Sequence, residues 1–411
     1  MLSLKYISHA NKGVTLIELM LALVISMTLL LGVGTIYYNS KRSYLIQDEF
    51  AHMQESARIA MKFIYEDIRM AGHVGCVWNN DLDHTSFLTT LANAADNDAM
   101  INYAIGMEGF EANGTAPGSN VTTDLSSSTT TWHATLPSFI SGSTRTPIRD
   151  SDILVVRYAQ GNGFRLTQNK AATHLWIDPM GDNSIDGSSG TNCHIPSDIC
   201  VGDLLIASDC QKSRLFQATA LSAPAEGIQI THNNTGTPGN AATHISWGTA
   251  TDHPNDFDFQ DSYVYKATAY AYYVANAANG QPSLYRIELR PGATPEELVQ
   301  GVENMQILYG IDTDKTAATE KGDGVANRYR PANAVATATD HVISARISLL
   351  LRTADEINKA TTVAATSSAY RLTGMTNATS TRITPEPGGN ADRRLRRVFT
   401  TTIKIRNKGL Q

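Results

Sequence analysis

The sequence predicts an α+β protein: one long N-terminal helix, with an apolar first half, packed on an antiparallel β-sheet head with loop-rich insertions. Two observations support this. Helical periodicity runs without a proline from Val14 to Arg69 and ends at Gly72 and Gly75. Alternating apolar and polar residues, which predict half-buried strands, dominate the last third of the chain.

The first half of the predicted helix, residues 14–38, is apolar over about the length that crosses a bilayer, roughly 20 residues. Glu18 is its one charge, and a carboxylate in lipid needs a partner or a function. The second half, residues 39–71, is amphipathic. Its apolar face contains Ile46, Phe50, Met53, Ala57, Ala60, Ile64 and Ile68. We therefore expect a membrane-spanning half followed by a half that packs on a head.

The head, residues 72–411, is predicted to be built mainly of strands. Polar, glycine-rich stretches near 111–147 and 178–199 are expected to be loop-rich insertions. A helix is expected at 294–302, because Pro295 and two glutamates occupy its first turn. The strands are predicted at 152–158, 202–210, 213–221, 228–231, 263–274, 283–289, 305–309, 341–353 and 398–405.

Composition limits the class of protein. The net charge of -6 does not favour nucleic acid as a partner. The cysteines, Cys76, Cys193, Cys200 and Cys210, are even in number, so disulfides are expected if the head is periplasmic. Of the three possible connectivities we favour Cys193–Cys200 with Cys76–Cys210, and buried free thiols are the alternative.

The N-terminal residues carry a specific signal. Lys5, His9 and Lys12 precede Gly13 with no acid among them, and the apolar run with Glu18 follows. This arrangement resembles the class III signal of type IV prepilins and pseudopilins. An ordinary secretory signal peptide is disfavoured by the length of the run and the lack of an Ala-x-Ala site. A plain membrane anchor would leave Gly13 and Glu18 unexplained.

The resemblance implies a processing site and an assembly site. Prepilin peptidase would cut between Gly13 and Val14, and the new amino group of Val14 would be N-methylated. Most family members have Phe at the Val14 position, which is a mild departure. Glu18 would pair with the Val14 ammonium group of a neighbouring subunit during assembly.

Segments of the head resemble the PilW family of minor pilins. They are Gly75-Cys76, Ser208-Asp209-Cys210, the run from Gly301 to Asp312 and the run from Arg397 to Asn407. The resemblance implies a type IV pilin-like fold and a structural role in starting or capping a pilus that serves motility, adhesion or DNA uptake. Implied partners are other minor pilins, the major pilin, prepilin peptidase and the inner-membrane assembly platform. The protein would have one inner-membrane span and a periplasmic head, and would then reach the cell-surface pilus.

Two other functions stay open. A minor pseudopilin of type II secretion would share the N-terminal signal, and a tip-exposed binding module would use the loop-rich insertions. The sequence has no Gly-x-Ser-x-Gly motif, no Walker loop and no His-x-x-x-His pair, so we expect neither an enzyme nor a cofactor.

Two charged clusters in the sequence are best explained as solvent-exposed groups. Asp312, Asp314 and Asp323 could bind calcium, but seven residues interrupt the spacing, and a solvated turn is favoured. The basic run 393–397 is expected to be a solvated sheet edge, with a contact to DNA or a partner as the alternative.

Overall fold

The structure is a computed structural model of the 411-residue chain. It describes residues 13–75, 87–89, 91, 102–103, 105–171, 174–182, 184–186, 192–209, 213–224, 227–241, 262–290, 292–314, 322–336, 340–356, 369–374, 380–385 and 394–406. Of the predicted leader, residues 1–13, all but Gly13 lie outside the described residues. The chain divides into two compact units, Met1–Gln54 and Glu55–Gln411.

The long helix α1 extends from Leu16 to Met70, which confirms the prediction of one continuous N-terminal helix. Within the second unit its apolar face is buried at Ala57, Ala60, Ile64 and Ile68. The helix ends where Gly72 takes a positive φ of 72°, a conformation that glycine adopts without strain. The Gly72 N–H then donates to the Arg157 carbonyl oxygen, so the helix end is tied to the head.

The head is β-rich, and most of its strand pairs are antiparallel, as predicted. The strands are β1 (Phe87–Thr89), β2 (Met107–Phe110), β3 (Asn120–Thr122), β4 (Ile153–Ala171), β5 (His174–Ile177), β6 (Ile185–Asp186), β7 (Cys193–His194), β8 (Ile199–Cys200), β9 (Leu204–Ser208), β10 (Ser213–Gln217), β11 (Ala220–Ser222), β12 (Ile228–Thr231), β13 (Tyr263–Asn276), β14 (Pro282–Glu288), β15 (Glu296–Gln300), β16 (Val302–Asp312), β17 (Arg328–Arg330), β18 (His341–Arg352), β19 (Tyr370–Leu372), β20 (Thr381–Thr384) and β21 (Arg396–Lys404). A short helix, α2 (Ser138–Ser141), and 3-10 turns at Ile195–Ser197 and Ala332–Ala334 complete the described elements.

Two sheets carry most of the head. In the larger one, β13 pairs with β4 on one side and with β9 and β14 on the other. The smaller has the order β17-β16-β18-β21 and is antiparallel throughout. Two further three-stranded sheets have the orders β19-β20-β3 and β6-β7-β8. Within the described residues, the only parallel strand pairs are β1 with β10 and β3 with β20.

The core follows from the alternation that predicted the strands. The central strand β13 buries Ala271 and Tyr273 in one cluster, while Val264 belongs to a second cluster under β5 and β12. Side chains from the segment near 111–147, such as Trp132 and Ile140, lie in the first cluster. This polar, loop-rich segment therefore supplies part of the core.

The helix predicted at 294–302 is wrong, because Glu296–Gln300 forms strand β15 on the free edge of β14. Its acidic side chains contact the neighbouring strand: Glu297 accepts from the Ser283 and Tyr285 hydroxyls, and Glu296 pairs with Arg286. These tertiary contacts outweigh the helix-start signals of a proline followed by two glutamates.

The solvated edge predicted for the basic run is also wrong for Arg396. Its guanidinium group is fully buried and donates to both carboxylate oxygens of Glu303 on β16, at 2.7 and 3.0 Å. Arg352 on β18 reaches the same carboxylate at 3.3 Å. Arg397 points to solvent, as expected for an edge. A basic run cannot reveal such pairing, because the acid lies 93 residues earlier in the sequence.

Candidate functional site

The predicted processing site lies in extended chain before α1. Gly13 and Val14 precede the helix and are exposed. A Cβ atom at Gly13 would meet no other atom within 4 Å. Packing against the described residues therefore does not require glycine at position 13.

The first turn of α1 forms a reciprocal capping box. The backbone N–H and the hydroxyl of Thr15 both donate to Glu18 Oε2, at 2.9 and 3.0 Å. The Glu18 N–H donates back to the Thr15 hydroxyl oxygen at 3.3 Å. Each side chain thus satisfies a backbone N–H that the helix leaves unpaired at its start.

Glu18 has no cationic partner among the described residues. The carboxylate is exposed, and the side chains around it on α1 are exposed and apolar, including Leu16, Ile17, Leu19 and Met20. Within the described part of the chain, α1 is the one helix long and apolar enough to cross a membrane. The predicted assembly residue is therefore a single carboxylate on an apolar surface that the described residues leave exposed.

The other end of α1 is fixed to the head by a buried carboxylate that the sequence analysis missed. Asp67 Oδ1 accepts from the Tyr158 hydroxyl on β4 at 2.7 Å, and Asp67 Oδ2 accepts from the Tyr272 hydroxyl on β13. Burial raises the pKa of Asp67, and the two tyrosine hydrogen bonds oppose that rise. Its spacing from Ile64 and Ile68 places Asp67 on the apolar face of the helix, which is the signal that could have identified it.

The favoured Cys193–Cys200 disulfide is present, and it closes a short loop between β7 and β8. Inside this loop the buried His194 contacts the Ser197 hydroxyl at 2.7 Å through Nδ1 and the Asp182 carbonyl oxygen at 2.8 Å through Nε2. Lys266 of β13 joins the loop to the larger sheet through Asp198 and Asp203. Cys76 and Cys210 lie outside the described residues.

The three aspartates proposed for calcium come together. One carboxylate oxygen from each of Asp312, Asp314 and Asp323 lies within 4.8 Å of the other two. The buried Asp312 accepts from the Asp314 N–H at 3.0 Å and from the Gly324 N–H at 2.9 Å. These bonds hold the cluster in a closed turn, and calcium binding stays the untested alternative to the favoured turn.

The carboxylates that line a cavity in the described part of the head are paired with arginines of the same chain. A cavity of about 350 Å³ lies beside the end of α1, between β2, β16 and β18. Its carboxylates are paired, Glu108 with Arg157 and Asp340 with Arg330.

His194 and Ser197 in the disulfide loop are buried, so a substrate cannot reach this hydrogen-bonded pair. These described groups form no accessible nucleophile–base pair.

Comparison with known families gives two matches. The prokaryotic N-terminal methylation motif matches residues 8–34 and so includes Gly13, Val14 and Glu18. Type IV pilus-assembly protein W, the PilW family, matches residues 271–407. This second match covers β14 to β21 and two of the four head segments on which the resemblance rests. Comparison with curated proteins and with solved structures gave no match.

The two matched segments correspond to distinct parts of the fold. The methylation motif lies on the exposed apolar start of α1, and the PilW match ends just beyond β21. The matched family is one of pilus assembly and not of enzymes. The chain therefore carries a prepilin methylation motif and, in its C-terminal third, a match to the PilW family of type IV pilus assembly, which confirms the predicted resemblance to that family.

Proposed function

We propose that this protein is a minor pilin of a type IV pilus. Prepilin peptidase cuts between Gly13 and Val14, and the amino group of Val14 is then methylated. The apolar half of α1 holds the protein in the inner membrane with its head in the periplasm. With other minor pilins it starts or caps the pilus. The observation that carries the proposal is the exposed apolar surface with one carboxylate, within the methylation motif of a chain that also has a PilW domain.

The physical argument concerns Glu18. A carboxylate in lipid costs at least a few kcal/mol unless a cation reaches it. Because the described part of this chain provides none, the cation must come from elsewhere, and the Val14 ammonium group of a neighbouring subunit has the right charge. Pairing on assembly removes both unpaired charges at once, so Glu18 sets the position of one subunit against the next.

A deletion strain tests the proposal. We expect the deletion to remove most surface pili and to leave type II secretion intact, and the wild-type gene to restore the pili. Gly13→Val should not restore them, since a β-branched side chain blocks close approach to the backbone at the cleavage site. Gly32→Ala, which lies in open space on α1, is the matched control and should restore them.

The measurements are counts of surface pili, secretion of a type II substrate, and the electrophoretic shift caused by cleavage. Loss of secretion with normal piliation would favour a minor pseudopilin instead. Cleavage of the Gly13→Val protein at the wild-type rate would contradict the assigned processing site.

A further inference from the structure

Within the described residues, the last strand, β21, has one paired edge and one open edge. It is the last strand of the sheet β17-β16-β18-β21 and pairs with β18 from Arg396 to Lys404 without a register shift. The neighbouring pair, β16 with β18, has two such shifts. The described part of β21 therefore has neither the bulge nor the proline that often protects a sheet edge.

The register shows which backbone groups face outward. The Ile405 N–H donates to the Ile343 carbonyl oxygen at 2.9 Å, so this residue pair is hydrogen-bonded. Bonded and non-bonded pairs alternate along an antiparallel ladder. Residues 397, 399, 401 and 403 therefore bond to β18, and the backbone N–H and C=O groups of Val398, Thr400, Thr402 and Lys404 point away from it. Among the described residues, no backbone group pairs with these four positions.

The side chains along this edge carry one sign of charge. From Arg394 to Gln411 the sequence has no Asp or Glu. Glu303 neutralises the buried Arg396, whereas Arg397 and Lys404 are exposed near the two ends of the strand. Between them Thr400 and Thr402 are exposed, and their hydroxyls lie beside Ser348 and Arg346 of β18.

This charge pattern selects the occupant. A second copy of β21 at this edge would bring together two strands that each have exposed Arg397 and Lys404 and no acid, and like charges brought together at an interface are unfavourable. A strand with acidic side chains would instead meet a cation at each end. Strand addition supplies affinity through backbone hydrogen bonds and specificity through the side chains.

We propose that β21 is a docking edge for an extended, acidic segment of a different pilus subunit, which adds to the sheet as a further strand. The proposal rests on the proposed function, since it needs other pilus subunits. It goes beyond that function by naming the surface of the head that contacts them and the chemistry of the contacting segment.

The test uses the full-length protein in cells that assemble pili. A photo-crosslinking amino acid is placed at Thr402, and crosslinked peptides are identified by mass spectrometry. We expect crosslinks to an acidic segment of another pilus subunit. Thr400→Pro removes one outward N–H and keeps the backbone hydrogen bonds to β18, so it should abolish the crosslink and most surface pili. Thr400→Val keeps that N–H and is the matched control, which should retain both.

A second variant tests the docking edge without introducing a proline into the strand. Arg397→Glu with Lys404→Glu changes only exposed side chains and should also abolish the crosslink, at a wild-type level of the protein. Retention of the crosslink in this variant, crosslinks only to a second copy of the same chain, or no crosslink in the wild-type protein would overturn the proposal. If deletion of the gene removes pili but cells with either variant assemble a normal number of surface pili, only the proposed docking role of β21 fails. If deletion has no effect on pili, the proposed function fails.

Discussion

At the scale of the residue, Glu18 performs one observed task and one proposed task. In the single chain its carboxylate caps α1 by accepting from the N–H and the hydroxyl of Thr15. We propose that in the pilus the same carboxylate pairs with the ammonium group of a neighbouring subunit. Capping needs only a hydrogen-bond acceptor, whereas pairing needs a negative charge, so substitutions can separate the two tasks.

We expect Glu18→Gln to be cleaved like the wild type but to lose most surface pili, because glutamine can cap the helix but carries no charge. Thr15→Ala is the matched variant: it removes the hydroxyl cap, at a cost of about 1 kcal/mol, and keeps the charge. It should assemble nearly as well as the wild type. Electrophoretic mobility and pilus counts measure the two outcomes. Normal piliation with Glu18→Gln would refute the pairing role.

At the scale of the element, one buried carboxylate joins three strands of the smaller sheet. Glu303 on β16 accepts two hydrogen bonds from Arg396 on β21 and pairs with Arg352 on β18. The side chains of Glu303 and Arg396 are fully buried. Removing one partner of such a pair strands a charge away from water, so the end of β21 depends on this contact.

Arg396→Met should lower the free energy of unfolding by ~3 kcal/mol, because it leaves the Glu303 carboxylate buried with one cation fewer. Denaturant unfolding of the full chain in detergent micelles measures the change. The exposed neighbour provides a control, as Arg397→Met should change stability by less than ~0.5 kcal/mol. The double variant Glu303→Gln with Arg396→Met should recover part of the loss. Equal stability of the two single variants would contradict this role.

At the scale of the whole molecule, Ser151 and Asp152 join the larger sheet to the smaller one. Asp152 lies just before β4 and accepts from the Ile307 N–H of β16 at 2.8 Å and from the Ala112 N–H at 3.0 Å. Ser151 Oγ accepts from the Met305 N–H of the same strand at 3.1 Å. Glu111 is buried nearby, and burial together with the charge of Asp152 raises the pKa of Glu111 to about 9. Burial likewise raises the pKa of Asp152 to about 7.

These two pKa values give the stability a pH dependence of known sign. Each acid binds its proton more tightly in the folded state, so the free energy of unfolding should fall as pH rises from about 4.5 towards 9. One extra bound proton corresponds to at most about 1.4 kcal/mol per pH unit. Glu111→Gln should flatten this fall, because it removes one of the two charges that must be buried. Unfolding of the full chain in detergent between about pH 5 and pH 8.5 measures it.

The control for this experiment is Glu55→Gln on the exposed surface of α1. Arg58 holds the pKa of Glu55 below its usual range, so Glu55 affects the free energy of unfolding only at pH values below the measured range. We expect its profile to parallel the wild type. A Glu111→Gln profile that also runs parallel to the wild type would show that the buried acids do not govern stability.

Local patterns in the sequence predicted α1 and every strand of five or more residues except β15, whereas most of the shorter strands were not predicted. The helix depends on hydrogen bonds four residues apart and on an apolar face of period 3.6, so a single window of sequence contains the whole signal. The predicted processing and assembly residues are equally local, since Gly13, Val14 and Glu18 lie within six consecutive positions. Alternation likewise marks β18 and β21, because each has a buried face and a more exposed one.

Tertiary structure decided what depends on partners far along the chain. The segment Glu296–Gln300 became a strand because β14 offers it a free edge, and a helix-start signal cannot reveal that edge. Arg396 is buried because Glu303 reaches it from another strand, and Asp67 because two tyrosines from the larger sheet bond to it. The sequence alone thus determined α1, the longer strands other than β15, and the N-terminal signal. Which charges are buried and which sheet edge stays open depended on pairing between distant segments, whose energy no local window contains.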